Sequence, residues 1–422
     1  MEQNARHVLV VGAGIIGIAC SIRLRQAGYH VTVVDSESPA SMTSRGNAAG
    51  FGYTEVMPIA GPGVWKKVPK WLLDPLGPLF IKPTVIPELL PWFWRFCRVS
   101  TSGHVHKLAS HLAAILRLSM TETEKLVAEA GLQDHYTQNG ALTVYKSERA
   151  RQQDVLEWDL KASHGIICEP LTAHDLMEME PALKGVACGI LTPQWCNVKE
   201  PYEFALALAT FAQSIGVRFE REKVESFEFQ SQSVKAVNCQ GGKKLPLDEL
   251  VIAAGVWSSD LCKQLSEKVL LTSEAGYNTT LPNSGVSLTR QVIFAEEKFV
   301  ATPIRSGLRI GGAAEFSGLD AQACFKRSDR LLELASGYFP GLNDSQGEKW
   351  MGQRPSTPDS LPVIGRSTKY SNVLHAFGHG HLGLTMAAST ACLVEELMSQ
   401  RTPSIDVGPF SIDRFNNGPI VH

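Results

Sequence analysis

Apolar positions open the chain as an unbroken run at Val8–Val11. They then take helical spacing at Ile18, Ile22 and Leu24 and return to an apolar-rich run at Tyr29–Asp35. The pattern predicts strand, helix and strand, with Ala27-Gly28 ending the helix. Further on, Leu108, Leu112, Ile115, Leu116, Leu118, Met120, Leu126 and Val127 recur at helical spacing and predict a long helix. Gly140–Tyr145 reads as strand and Ala150–His164 as helix, and Thr172 can cap a helix that starts just after it. Residues 185–192 predict a strand and Pro201–Ile215 an amphipathic helix; alternating strands follow through Val237 and again over 269–312. Leu250–Ala253 is a buried-strand run ending in Ala254-Gly255, and Ala376–Thr385 repeats strand, glycine turn and apolar helix. These alternations predict an α/β fold, and glycine corners spread from end to end predict one domain assembled from distant parts of the chain.

The first corner carries chemistry. Gly12 suits a sharp turn, Gly14 lets the backbone approach a pyrophosphate, and Gly17 allows close packing of helix on strand, with Ala13, Ile15 and Ile16 between them. Free N–H groups and the positive end of the helix dipole favour an anion there without any basic side chain. Asp35, 18 residues after Gly17 at the end of the second strand, stands where a carboxylate binds a ribose hydroxyl. A dinucleotide is therefore expected, although the glycines do not distinguish FAD from NAD. Thr43–Gly52 adds a small, polar, glycine-rich loop whose backbone and Ser44, Arg45 and Asn47 side chains could serve an extended cofactor.

Composition narrows the field. A chain of 422 residues is long for a single core, and at roughly 150 residues per domain two or three domains are expected. Forty basic residues against 42 acidic ones leave no field to attract nucleic acid. Nine scattered cysteines without a C-x-x-C pair read as reduced cytoplasmic thiols, with no metal site expected. Met1–His7 is polar, so no secretory leader is expected, and no apolar run reaches the ~18 residues of a membrane span. Residues 58–96 are unusual: four of the eight tryptophans (Trp65, Trp71, Trp92, Trp94) lie there among Lys66, Lys67, Lys70, Lys82 and Arg95. Such a segment suits an interfacial anchor or partner surface, or else an aromatic satellite core.

The N-terminal fingerprint is joined by Ser44–Gly50, Ala253–Trp257, Arg309–Gly312, Gln353–Asp359, Pro362–Gly365 and Gly378–Gly383. With these segments in this order the chain resembles the FAD-dependent D-amino-acid oxidase and glycine oxidase superfamily, and within it the D-amino-acid dehydrogenase small-subunit branch. The resemblance runs from residue 8 to about residue 400. It implies a Rossmann-like FAD-binding domain (1–60, 185–265 and 345–400), a discontinuous α+β substrate domain (61–184 and 266–344) whose mixed sheet caps the flavin, and a C-terminal tail (401–422). Its expected cofactor contacts are Gly12, Ala13, Gly14, Ile15, Ile16, Gly17, Asp35, Ser36, Ser44, Arg45, Asn47, Ala48, Ala49, Gly50, Val224, Ala254, Gly255, Trp257, Gly378, His379, Gly380, His381, Leu382, Gly383, Leu384 and Thr385.

The activity implied is oxidation of a D-amino acid by hydride transfer from Cα to flavin N5. Arg354 stands where the superfamily binds the substrate carboxylate, a task that suits a bidentate guanidinium. Tyr277 matches a tyrosine that helps hold it, Tyr53 and His381 are further substrate contacts, and His379 is placed by the flavin. Gly352–Ser356 lacks the cysteine to which sarcosine-oxidising relatives attach flavin, so noncovalent FAD is expected. The run Arg354–Pro362 is closer to D-hydroxyproline dehydrogenases than to D-alanine ones, which points to D-proline or cis-4-hydroxy-D-proline. Electrons would pass to a quinone or the respiratory chain. An oxygen-using glycine or sarcosine-type oxidase and an FAD subunit of a hetero-oligomeric amine dehydrogenase with partner subunits stay open. The expected location is the cytoplasm, with peripheral contact at the cytoplasmic face of the inner membrane as the alternative.

Overall fold

A computed structural model describes residues 6–61 and 76–416. The apolar run His7–Val11 becomes a strand whose Val8, Leu9 and Val10 are fully buried, flanked in parallel by His30–Asp35 and Glu249–Ile252. Arg218–Arg221 and Val373–Phe377 extend this sheet in parallel, and Val363–Arg366 closes it antiparallel. Burial on both faces explains the near-continuous apolar runs.

On one face lie the helices Ile15–Gln26, Pro201–Ser214 and Gly383–Met398. The long helix Ser102–Glu129 packs on Gly383–Met398, with Ser119 Oγ 2.7 Å from Ser389 Oγ. On the other face, the antiparallel strands Val224–Gln230, Ser233–Cys239 and Lys244–Pro246 and the helix Ser258–Gln264 enclose Leu9, Val34, Phe227, Val237, Leu250 and Cys262.

The second layer is a mixed sheet in the order Glu348–Ser356, Thr272–Leu281, Gly307–Phe316, Phe299–Ile304, Gln291–Phe294, Ala141–Tyr145, Cys188–Thr192 and Glu169–Thr172. Leu79–Ile81 pairs with Gly307–Phe316 from the side, and the helix Lys326–Ser336 covers a core of Tyr277, Phe294, Phe299, Ile310 and Phe339. A capping box formed by Thr172 and Asp175 starts the helix Ala173–Met179, as the sequence suggests.

Several boundaries differ from expectation. The helix Ser102–Glu129, assigned by sequence to the cap, packs on the dinucleotide-binding layer. Cys188–Thr192 and Glu348–Ser356, assigned to that layer, are strands of the cap sheet. The reason is that the chain changes layer inside short turns, as at Thr357–Leu361, which no local periodicity marks. The helix expected over 150–164 is split into Glu148–Gln153 and Val155–Ser163 by Asp154, whose carboxylate accepts the Tyr145 hydroxyl at 3.3 Å. The described part of the tail is tied back: Arg414 donates to Asp359 at 3.0 and 3.3 Å and to Leu361 O at 2.7 Å.

Within the aromatic insertion, Trp65, Trp71 and lysines 66, 67 and 70 lie outside the described residues. The helix Ile86–Val99 takes up the rest and has two faces. Leu89, Trp92, Phe96 and Val99 are buried, with the Trp92 indole N–H donating to Ser356 O at 3.1 Å. Ile86, Leu90 and Trp94 are spaced four residues apart on the opposite face and are 43%, 59% and 60% exposed.

Candidate active site

Between the two layers runs a cavity of about 1050 Å3. Its floor is the first glycine corner. Gly12 has φ +113°, and a Cβ there would lie 2.4 Å from Ala253 O, so the turn admits only glycine. A Cβ on Gly17 would lie 1.9 Å from Gly12 O, which makes it the contact between helix and strand. The helix Ile15–Gln26 opens on the cavity with no acidic residue in its first turn, and Ile15 N–H donates to Ser44 Oγ at 3.0 Å. Asp35 accepts Ala13 N–H at 2.7 Å through one oxygen and Glu37 N–H at 2.9 Å through the other, and its side chain still lines the cavity.

A second helix N-terminus, that of Gly383–Met398, reaches the same cavity without a side-chain cap or an acidic first turn. Two partial positive charges therefore face one elongated space. Trp350 is sandwiched over Gly46 and Gly352, where Cβ atoms would enter its ring, so the loop after the second strand lies directly against the cap sheet. Asn278 Nδ2–H donates to Gly46 O at 2.7 Å and completes this seam. Trp195 Nε1 is buried on the cavity wall without an acceptor among the described residues, as suits a donor kept for a ligand. The glycine cradle, the two helix ends and this donor fit an extended dinucleotide carrying a ring system, and no cysteine lines the cavity among the described residues.

Of the expected cofactor residues, Gly12–Ile16, Asp35, Ser36, Ser44, Asn47, Ala48, Gly50, Val224, Ala254, Gly255, Trp257 and His379–Leu384 line the cavity. Gly17, Arg45, Ala49, Gly378 and Thr385 do not. The Arg45 guanidinium lies 5.2 Å over the Tyr202 ring instead. Ala49 is fully buried with φ +62°, and Gly378 turns the chain at φ +81°. The Thr385 hydroxyl accepts Gly52 N–H at 3.0 Å in the core. These residues shape the wall from behind.

At the far end, Arg354 lies across the sheet on Gly276, where a Cβ would sit 2.2 Å from Nη2. Nη1 donates to Glu274 Oε1 at 2.7 Å and to Ala313 O at 3.1 Å, and Glu274 Oε2 accepts the Ser356 hydroxyl at 2.7 Å. Ala313, with φ +58°, sits in the bulge that shifts the register between Thr272–Leu281 and Gly307–Phe316. Both bonds use Nη1, so the Nε–Nη2 edge has no partner among the described residues.

Three expected site residues have side chains already packed or hydrogen-bonded within the protein, and of these Tyr53 is off the cavity wall. Tyr277 borders the cavity, but its hydroxyl is already engaged: the residue is 2% exposed, the hydroxyl donates to Glu315 at 3.0 Å and accepts Cys324 N–H at 3.1 Å, and the ring meets Phe325 edge-on. Gly276 and Asn278, on the alternate face of the same strand, also line the cavity. Tyr53 is stacked 5.6 Å from Phe51 inside the core, off the cavity wall. His379 is 4% exposed with Nε2 2.9 Å from Thr390 Oγ1, and burial pushes its pKa down to about 3, so its ring is neutral and braces a helix. His381, by contrast, is exposed to the cleft. Burial and Arg354 lower its pKa, while Glu55 and Glu274 pull it up.

Sequence reading missed Glu55, Lys161, Lys223, Asn278 and Trp350, all on the cavity wall. Only the alternation at Glu274, Gly276 and Asn278 could have signalled any of them.

A family model described as FAD dependent oxidoreductase matches residues 7–397. The chain is 32% identical to a D-amino-acid oxidase of Bradyrhizobium diazoefficiens, over 98% of this chain and 99% of that one. It is 30% identical to a D-amino acid dehydrogenase of Rhizobium johnstonii, over 97% and 99%. Among solved structures, an L-proline dehydrogenase from P. horikoshii aligns with TM-score 0.77 at 18% identity, covering 99% of this chain and 100% of the other. A glycine oxidase from Geobacillus kaustophilus aligns with TM-score 0.72 at 21% identity, covering 97% and 99%.

Proposed function

The chain belongs to the FAD-dependent oxidoreductases, with FAD as its cofactor, and on that premise we propose that it dehydrogenates a D-amino acid at Cα. In this reading the electrons pass on to a quinone or another respiratory acceptor. The observation that carries it is Arg354: a guanidinium held from one side by Glu274 and the Ala313 carbonyl, with its Nε–Nη2 edge open in the cavity. That edge matches a carboxylate in bidentate geometry, and the Glu274 ion pair holds the fork in place to meet it.

Bound FAD supplies the two-electron acceptor for hydride from Cα. The chain supplies the rest. Arg354 fixes the α-carboxylate and so orients the Cα–H bond. Neutral His379 braces the turn at the helix end, whose dipole, rather than an imidazolium, offers positive charge to the cavity. His381 faces the cleft with a lowered pKa and can accept a proton from the substrate ammonium. The absence of cysteine from the described cavity wall supports noncovalent attachment of FAD.

The test is anaerobic reduction of the flavin band by a panel of D-amino acids headed by D-proline and cis-4-hydroxy-D-proline. Arg354→Lys is expected to keep FAD and to raise KM by about 100-fold, since a point charge replaces a fork. A panel in which no D-amino acid bleaches the flavin overturns the reading. The kinship to a relative named D-amino-acid oxidase favours a second acceptor, molecular oxygen. Stoichiometric hydrogen peroxide in air would select it.

The exposed face Ile86, Leu90 and Trp94, with Arg98 stacked 4.4 Å over Trp94, supports peripheral contact with a membrane. No helix among the described residues is long and apolar enough to cross one.

A further inference from the structure

One part of the cavity wall is more highly charged than hydride transfer requires. Glu55 enters it from the segment after the short strand Gly50–Phe51, and Asp154, Glu157 and Lys161 enter from the end of Glu148–Gln153 and from Val155–Ser163. Tyr145, Trp158 and Trp195 supply aromatic wall, and Lys298 stands on the turn after Gln291–Phe294.

The Lys161 side chain is 4% exposed, and its Nζ lies 3.0 Å from Glu55 Oε1 and 3.0 Å from Glu157 Oε1, with the Trp158 ring 4.7 Å away. Each carboxylate gives one oxygen to the lysine. The second oxygen of each has no partner among the described residues, and the two side chains remain 26% and 30% exposed on the cavity wall. Lys161 is thereby withdrawn as a ligand group, since both its near neighbours neutralise it. Three carboxylates against two ammonium groups leave one negative charge uncompensated, beside aromatic rings.

Burial pushes the Glu55 carboxyl up, but the charge and hydrogen bond of Lys161 outweigh it and hold the group ionised, below the usual carboxylate range. An ionised, partly desolvated oxygen left unpaired discriminates strongly, because a substrate without a donor leaves it unsatisfied.

We propose that Glu55 sorts substrates: its free oxygen accepts a hydrogen bond from a donor on the substrate side chain, a hydroxyl or an ammonium, and this part of the wall rejects carboxylate side chains. This deepens the D-amino-acid reading and rests on it. Glu55 suits the role because it lines the same cavity as His381 and Arg354, and with Trp195 and Leu382 it closes around Gly52, next to the turn that carries His381.

The experiment measures kcat/KM on the holoenzyme for two matched pairs, cis-4-hydroxy-D-proline with D-proline and D-lysine with D-norleucine, and for D-glutamate. The donor-bearing member should lead by at least tenfold in one pair or both, with D-glutamate last. In Glu55→Ala that ratio should fall to within about twofold of one. Glu55→Gln, which keeps an acceptor and loses the charge, should retain a hydroxyl preference while losing the rejection of D-glutamate. The Gln variant also guards against misfolding of the Ala variant. If the Glu55–Lys161 pair has a purely structural role, the variants lower Tm and leave the ratios where they were, and that result overturns the proposal. So does a flat ranking in the unaltered enzyme. Failure of every D-amino acid to reduce the flavin instead removes the reading on which it rests.

Discussion

At the residue scale, the site depends on side chains whose neighbours hold them in one state. Arg354 can lie across its strand only because position 276 carries no Cβ, the nearest approach being 2.2 Å to Nη2. Gly276→Ala should therefore displace the fork by about 1 Å and raise KM by 10- to 100-fold, with FAD content unchanged. Steady-state kinetics beside the flavin spectrum checks this. His379 sets a pH dependence. Its pKa is about 3 in the folded chain against 6.5 as the ordinary value, so the unfolded chain takes up the proton first. Stability then falls as pH drops from 6.5 toward 3, by up to about 1.4 kcal/mol per unit. His379→Gln, which can keep the bond to Thr390, should make unfolding midpoints less sensitive to acid between pH 6.5 and 4.5. Equal slopes for the two proteins in denaturant titrations would contradict the assignment.

At the scale of elements, the strand Glu348–Ser356 carries Arg354 and then turns at Thr357–Leu361 into the other layer, so this turn sets the geometry of the site. Asp359 in that turn is fully buried and bound by Arg414, whose side chain is 4% exposed. Removing one partner strands a buried charge, so Arg414→Met should cost about 3–5 kcal/mol in denaturant unfolding. Adding Asp359→Asn should restore a good part of that loss, because it removes the stranded charge as well. The same element logic explains what could be read ahead. The first strand, helix and second strand are contiguous and each shows its own period, and they appear within a residue or two of expectation. The face that each cap strand presents was not legible. The register around Gly276 and Tyr277 shifts at a bulge beside Ala313, in a different strand.

At the scale of the molecule, the exposed row Ile86, Leu90 and Trp94 predicts behaviour that no single site does. The holoenzyme should float with liposomes containing anionic lipid, and Leu90→Glu together with Trp94→Glu should release it without changing turnover of a soluble acceptor. Cofactor class and the glycine corner were accessible from sequence alone, because each rests on a local run or on a motif whose spacing is itself the chemistry. The layer to which 102–129, 188–192 and 348–356 belong was decided only by packing, since apolar periodicity reports that a face is buried and not against what. The placing of the Tyr277 hydroxyl on Glu315 and of the Arg45 guanidinium over Tyr202 was likewise decided by residues on other elements. Glu55 and Lys161 meet from 106 positions apart. The sequence by itself determined what kind of cofactor and chemistry the chain can hold, and the tertiary structure alone decided which side chains stand in the cleft, because contact between distant segments leaves no period in either.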